Sequence, residues 1–198
     1  MTDNYHYIVA GLPDLLLDFE QKPFDFARIL HAITEQLSPK DQRWIEWLQF
    51  GMAPERLGPH FYRATAKAKN AFIRDYFAFD FEMRQFLAEL SRHRAESASA
   101  NVMQGLKNRS DLSASLFAVL DTENILEREQ KFDRLRWSYA NEICTFHHFD
   151  IDIILCFLLK ASIIERWMRL DKARGQELFK NLVTEIKTVK NNENHRNS

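Results

Sequence analysis

The residues with the clearest potential for metal chemistry lie close together near residue 147. Cys144, His147 and His148 could supply three soft ligands beside one turn, with Asp150 and Asp152 nearby. The spacing matches no standard zinc pattern, and the sequence lacks a second cysteine pair. Cysteine is also a common core residue, and histidines at a helix C-terminus interact favourably with the helix dipole. We therefore predict no metal site and keep a metal-dependent enzyme using this corner as the third functional hypothesis.

Other catalytic signatures are missing from the sequence. It contains no phosphate-binding G-x-x-x-x-G-K-[ST] or G-x-G-x-x-G loop, no G-x-S-x-G elbow and no H-E-x-x-H pair. A di-iron bundle needs Glu-x-x-His pairs, and the nearest candidate, Glu89 with His93, is spaced one residue too far apart and is not repeated. We interpret that pair as a solvated helix end. The sequence predicts a protein with no catalytic residues, no cofactor and no small-molecule substrate.

An acidic–basic pair, Glu165-Arg166, lies within an otherwise apolar helical segment. Charges in such a segment must be paired or must reach the surface. The simplest interpretation is a helix end that reaches solvent, with the neighbouring tryptophans in the core. The functional alternative is a protein-contact patch, because tryptophan beside arginine is typical of residues that dominate binding energy. The candidate contact residues are Arg134, Arg136, Trp137, Arg166 and Trp167.

Composition and charge argue against several kinds of partner. The formal net charge is −1, so the sequence has no basic excess for nucleic acid or for an anionic membrane surface. The longest apolar run, residues 153–159, is far below the roughly 20 residues that span a bilayer. The N-terminus lacks the basic start of a signal peptide, and the two cysteines make no disulfide framework. We expect a cytoplasmic protein that does not insert into a membrane.

The hydrophobic pattern predicts an all-α, elongated multi-helix bundle. Apolar residues from Phe72 to Leu90 recur every three or four positions, which indicates a long core helix over about 60–93. A helix of this length implies either an elongated body or a break near Asp80. Further helices are predicted over 24–37, 39–51, 123–146 and 151–170, with Ser38 and Asp150 as N-caps. The last of these is apolar on nearly every side, so it must be buried. We expect one domain over residues 1–190, with shorter helices near 102–106 and 178–186 and a disordered polar tail at 191–198.

The C-terminal third also carries a recognisable pattern. A basic-aromatic helix is followed by a turn with an acidic-aliphatic pair, and then by an apolar helix that ends in an acidic-basic pair. This run resembles the C-type (also called d-type) subunits of V-type ATPases and ATP synthases. The segments that carry the resemblance are Leu135-Arg-Trp-Ser-Tyr139, Phe149-Asp-Ile-Asp-Ile153, Leu155-Cys-Phe-Leu-Leu-Lys160 and Ile164-Glu-Arg-Trp167.

A second resemblance covers most of the chain. Its segments are Tyr5-x-Tyr7 through Gly11-Leu-Pro-Asp-Leu15, Leu37-Ser-Pro-Lys-Asp41, and Leu126-Glu-Arg-Glu-x-Lys131 through Phe146-His-x-Phe-Asp150. They are similar to a short, uncharacterised bacterial family, typical of Bacteroidetes, that is encoded among V-type ATPase subunits. The chain is much shorter than a full C-type protein, and its N-terminal half does not match that larger family.

The resemblance implies a mechanical role. The C-type proteins are all-helical, funnel-like spacers without an active site, and they seat the central rotor stalk on the membrane ring. The chain is therefore expected to be a cytoplasmic protein at the periphery of a membrane complex, with the central stalk and the membrane ring as its partners. The alternative is a free-standing helical adaptor or an assembly factor.

Overall fold

The chain folds into a bundle of helices. A computed structural model describes residues 5–17, 25–95 and 111–170, apart from the side chains at 90–95 and 111–113. Within these ranges every regular element is helical, which confirms the all-α prediction. The helices are α1 (His6–Ala10), α2 (Phe26–Thr34), α3 (Pro39–Gly51), α4 (Pro59–Thr65), α5 (Ala71–Ala95), α6 (Asp111–Leu120), α7 (Ile125–Ile143) and α8 (151–170), with a 3-10 turn at Pro54–Arg56.

The long helix expected over about 60–93 is divided into α4 and α5. The chain leaves the helical path over residues 66–70 and starts again at Ala71, whereas Asp80, the position of the alternative with a break, lies inside α5. The restart has a local cause, because the side chain of Asn70 accepts a hydrogen bond from the backbone N–H of Ile73 at 2.8 Å. An asparagine that caps a helix in this way ends the preceding helical path and begins a new one.

Capping hydrogen bonds also fix the starts of α2 and α8. Asp25 accepts a hydrogen bond from the backbone N–H of Arg28, so α2 begins at Phe26 rather than near residue 24. Asp150 accepts one from the backbone N–H of Ile153 at 3.3 Å, in agreement with its predicted role at the start of α8. Ser38 occupies the N-cap position of α3 but makes no capping bond, because its hydroxyl binds Asp41 instead.

The helix that precedes α8 is shorter than predicted. It was expected over 123–146, but α7 begins after the cap residue Asn124 and ends at Ile143. The side chain of Asn124 accepts hydrogen bonds from the backbone N–H groups of Leu126 and Glu127, which fixes the start of the helix. The helices predicted near 102–106 and 178–186 and the tail at 191–198 lie outside the described residues.

Helix α8 forms the centre of the core. Ile154, Leu155 and Ala161 are fully buried, as the apolar character of this segment requires. Phe72, Met83 and Phe86 of the apolar stripe of α5 are buried too, and Phe79 of that helix stacks on Tyr139 of α7 with ring centroids 4.2 Å apart. Each such side chain contributes about 1.5–3 kcal/mol when it is fully buried. The core therefore holds α5, α7 and α8 together.

One glycine allows a close approach between helices. Gly51, at the end of α3, is buried, and a Cβ atom placed there would lie 2.0 Å from Cζ of Phe77. Phe77 is itself 1% exposed, so its ring is enclosed by other side chains. The absence of a side chain at Gly51 therefore lets α3 pack directly against α5.

Candidate functional site

A buried carboxylate brings together three of the residues that were predicted to contact a partner. Asp133 of α7 is 1% exposed, and one of its oxygens accepts a hydrogen bond from Nη1 of Arg136 at 2.9 Å. The other oxygen accepts from Nε1 of Trp167 at 2.7 Å and from Nη2 of Arg166. We call these four residues the Asp133 cluster. It links α7 to α8 through polar contacts inside the bundle.

The arginines of the Asp133 cluster differ in their exposure. The side chain of Arg166 is 45% exposed, and it also lies 3.9 Å from a carboxylate oxygen of Glu129. The side chain of Arg136 is only 20% exposed. Burial alone would lower the pKa of Arg136, but the nearby carboxylates of Asp133 and Asp80 raise it. Arg136 therefore stays charged, and Asp133 supplies its direct counter-charge.

The predicted contact residues do not form one exposed patch. Trp137 and Trp167 are 9% and 4% exposed and pack with Ile163 and Ile164, as the core interpretation requires. Lys160 lies over the ring of Trp137, 5.0 Å from its centroid. Arg134 is exposed on α7. Among the predicted residues, Arg134 and the outer part of Arg166 are those that a partner protein could reach.

Asp133, Arg136 and Arg166 of the Asp133 cluster form part of the wall of a cleft of about 450 Å³. Asp80, on α5, lies in the same wall and is 4% exposed. It accepts hydrogen bonds from the hydroxyl of Tyr62 and from Nε of Arg84, both at 2.7 Å. Burial and the neighbouring Asp80 raise the pKa of Tyr62, so its hydroxyl remains a donor. The cleft is thus lined by buried carboxylates that are paired with arginines.

Sequence reasoning missed the two acidic residues that organise this cleft. The sequence carries a partial signal for the burial of Asp80. This residue follows Tyr76 of the apolar stripe by four positions, so the two lie on the same face of the helix. Asp80 is also followed four positions later by Arg84, and Asp133 three positions later by Arg136. These are spacings at which opposite charges meet on a helix.

The corner with potential metal ligands is occupied by internal hydrogen bonds. The thiol of Cys144 donates to the backbone carbonyl of Asp152 at 3.4 Å. The neighbouring Cys156 thiol and burial raise the pKa of Cys144, so this thiol stays protonated. A protonated thiol is a poor metal ligand. In the ranges that the structure describes, no group of three His, Cys, Asp or Glu side chains has a geometry suited to a metal ion.

The two histidines of this corner have different environments. Nδ1 of His147 lies 2.6 Å from a carboxylate oxygen of Asp150 and 3.8 Å from one of Asp152, whereas His148 is exposed. Burial alone would lower the pKa of His147, but the hydrogen bond and charge of Asp150 raise it. Burial raises the pKa of Asp152, which also accepts a hydrogen bond from Asn70. The corner therefore fastens the turn between α7 and α8 to the start of α5.

One part of the chain matches a known family model. The model, described as "Protein of unknown function (DUF2764)", matches residues 108–190. This segment includes α6, α7 and α8 and therefore all four residues of the Asp133 cluster. No curated protein matches the chain, and no solved structure matches it. None of the helices in the described ranges has both the length and the apolar character needed to cross a membrane.

Proposed function

We propose that this protein is a non-catalytic subunit of a V-type ATPase or ATP synthase. In this role it is a rotor spacer that couples the central stalk to the membrane ring. The observation that carries the proposal is the place of the resembling segments in the fold. The basic-aromatic segment lies on α7, the acidic-basic segment lies on α8, and the Asp133 cluster joins the two.

A spacer in a rotor must transmit torque without letting its helices slide past one another. The contacts between α7 and α8 suit this requirement, because one buried carboxylate receives hydrogen bonds from both helices. Separating the two helices would remove the hydrogen bonds that Arg166 and Trp167 donate to Asp133. A hydrogen bond to a charged group is typically worth about 1.5–3 kcal/mol. This cost favours a stiff helix pair.

The chemistry of the described residues also supports a role without catalysis. The thiol of Cys144 and the imidazole of His147 take part in contacts that fasten the turn between α7 and α8. Asp80 and Asp133, the most buried acids of the cleft, are each paired with an arginine. These groups hold the fold together, and a mechanical subunit requires nothing further of them. The matched family model spans α6, α7 and α8, and so includes Cys144, His147 and Asp133.

The proposal can be tested by measuring the coupling of ATP hydrolysis to ion transport. Membrane vesicles would be prepared from cells with and without the gene for this chain. Both ATP hydrolysis and ATP-driven ion uptake would then be recorded. We expect uptake to be lost without the gene while some hydrolysis by the catalytic head persists, and we expect re-expression of the chain to restore uptake. Unchanged uptake in vesicles without the gene would refute the rotor role.

A further inference from the structure

The cleft beside the Asp133 cluster contains a buried hydroxyl that has no partner among the described residues. Tyr76 of α5 lines this cleft and is 4% exposed. Its hydroxyl makes no hydrogen bond with any residue in the described ranges. Within the same ranges no fully buried side-chain oxygen lacks a hydrogen-bond partner, so the Tyr76 hydroxyl must reach the surface of the cleft. A donor placed there is available to a ligand.

The charged groups around Tyr76 suit an anion with a single charge. Four arginines line the cleft, namely Arg84, Arg136, Arg166 and Arg169, together with the acids Asp80, Asp133 and Glu165. The lining thus has a net charge of +1. Each of these arginines is already paired with an acid, but a guanidinium carries five N–H donors and these pairs use only some of them. A carboxylate monoanion matches this net charge, whereas a phosphate dianion would exceed it.

Tyr76 and Arg136 both line this cleft. Burial raises the pKa of Tyr76, so its hydroxyl keeps its proton at neutral pH. An anion in the cleft could therefore accept one hydrogen bond from a neutral hydroxyl and others from charged guanidinium groups. Hydrogen bonds of the second kind are the stronger ones.

The rest of the lining indicates what carries the carboxylate. Met52, Leu159, Ile163 and Leu170 contribute apolar surface to the same cleft. The volume of about 450 Å³ is far larger than a carboxylate group alone. The ligand therefore combines one carboxylate with an apolar body. An aspartate or glutamate flanked by apolar residues on a protein helix has this chemistry, as does a free small carboxylic acid.

We propose that the cleft beside the Asp133 cluster is a docking site for an acidic side chain of a partner subunit. Tyr76, Arg136 and Arg166 are the groups that bind the carboxylate. This inference rests on the proposed function for the source of the carboxylate. The binding chemistry itself can be tested without any partner.

The first experiment measures binding of a simple carboxylate to the full chain. Hexanoate, which has one carboxylate and an apolar body, would be titrated into ¹⁵N-labelled protein while the arginine Nε–Hε signals are followed by NMR. We expect saturable shifts with hexanoate and none with hexan-1-ol or inorganic phosphate. Tyr76→Phe should weaken hexanoate binding about tenfold, since the variant removes a hydrogen bond to a charged group.

The variant has a matched control in Tyr139→Phe. The hydroxyl of Tyr139 lies outside the cleft lining, 3.5 Å from the backbone carbonyl of Asp75. Tyr139→Phe should bind hexanoate as the natural protein does. Tyr76→Phe should keep its melting temperature, because the lost hydroxyl has no hydrogen-bond partner among the described residues. Equal shifts with hexanoate and phosphate, or an unchanged affinity in Tyr76→Phe, would overturn the carboxylate site.

The second experiment identifies the source of the carboxylate. Tagged natural protein and tagged Tyr76→Phe would be recovered from gently solubilised membranes, and the amounts of stalk and ring subunits compared by mass spectrometry. We expect the variant to retain several-fold less of the partner that docks in the cleft. If hexanoate binding is weakened but partner recovery is unchanged, the docking proposal is wrong and the cleft binds a free carboxylic acid. If the natural protein recovers no such subunits, the proposed function fails while the hexanoate result stands by itself.

Discussion

Replacing Asp133 with Asn should destabilise the protein more than the loss of any exposed ion pair. Asp133 is 1% exposed and accepts hydrogen bonds from Arg136, Arg166 and Trp167. An asparagine is nearly the same size, so the change removes the charge without leaving a cavity. Its amide oxygen can still accept from Trp167, but its NH₂ group would face a guanidinium that also donates.

The size of the effect follows from the exposure of the two arginines. Breaking a buried ion pair from one side costs about 3–5 kcal/mol, because the remaining charge stays buried and unpaired. Arg136 is the buried partner, whereas Arg166 is 45% exposed and can be solvated. We therefore expect Asp133→Asn to lower the free energy of unfolding by about 3 kcal/mol. For a chain of this size that corresponds to a fall of about 6–12 °C in melting temperature.

Urea unfolding followed by circular dichroism at 222 nm would measure this loss. Arg169→Gln is the matched control, because it removes a pair between Glu165 and an arginine side chain that is 76% exposed. Such surface pairs are worth less than about 1 kcal/mol, so the control should unfold almost as the natural protein does. A loss below about 1 kcal/mol for Asp133→Asn would refute the reasoning that Asp133 is the required counter-charge of the buried Arg136.

Three further changes test other parts of the fold. Gly51→Ala should destabilise the protein by about 2 kcal/mol in urea unfolding, because the new Cβ would lie 2.0 Å from a ring carbon of Phe77 and overpacking outweighs the higher helix propensity of alanine. Asn70→Ala removes the cap of α5 and a buried hydrogen bond, so it should lower the melting temperature in proportion to a loss of about 1–2 kcal/mol. His147→Gln should cost stability mainly in acid, since the pKa of His147 is raised in the folded protein by Asp150.

The sign of the histidine effect follows from proton linkage. Because the pKa of His147 in the folded protein lies above that in the unfolded chain, about 6.5, the folded state binds the proton more tightly. The contribution of His147 is therefore fully present below pH about 6.5 and is lost as the pH rises through the raised pKa. The free energies of unfolding of the natural protein and of His147→Gln would be measured from pH 5 to 9. Their difference should shrink towards zero at the alkaline end. A difference that grows with pH would contradict the raised pKa of His147. A gain in stability in Gly51→Ala or in Asn70→Ala would contradict the prediction for that variant.

The sequence predicted well those elements whose cause is local. α8 is apolar on nearly every side, and the burial of most of its residues follows from that composition. Ser38-Pro39 marks the start of α3, and Asp150 marks the start of α8 through a hydrogen bond three residues along the chain. The break between α4 and α5 was missed, because the alanine and lysine positions before Ala71 continue a helical pattern and only the cap at Asn70 interrupts it.

The candidate site was harder to predict, because its contacts join residues far apart in sequence. Asp133 stands in a helix rich in charged residues and resembles an ordinary solvated acid. Its burial depends on Arg166 and Trp167, which follow it by 33 and 34 positions. Tyr76 was predicted as a core residue, and it is one, but the position of its hydroxyl at the cleft is set by how α5 packs against α7 and α8.

Affinity capture from native membranes tests the central claim most directly. The tagged full chain would be recovered from gently solubilised membranes, and its partners would be identified and quantified by mass spectrometry. The rotor proposal predicts V-type head, stalk and ring subunits in a fixed ratio to this chain. Recovery of the chain alone, or with unrelated proteins only, would contradict it.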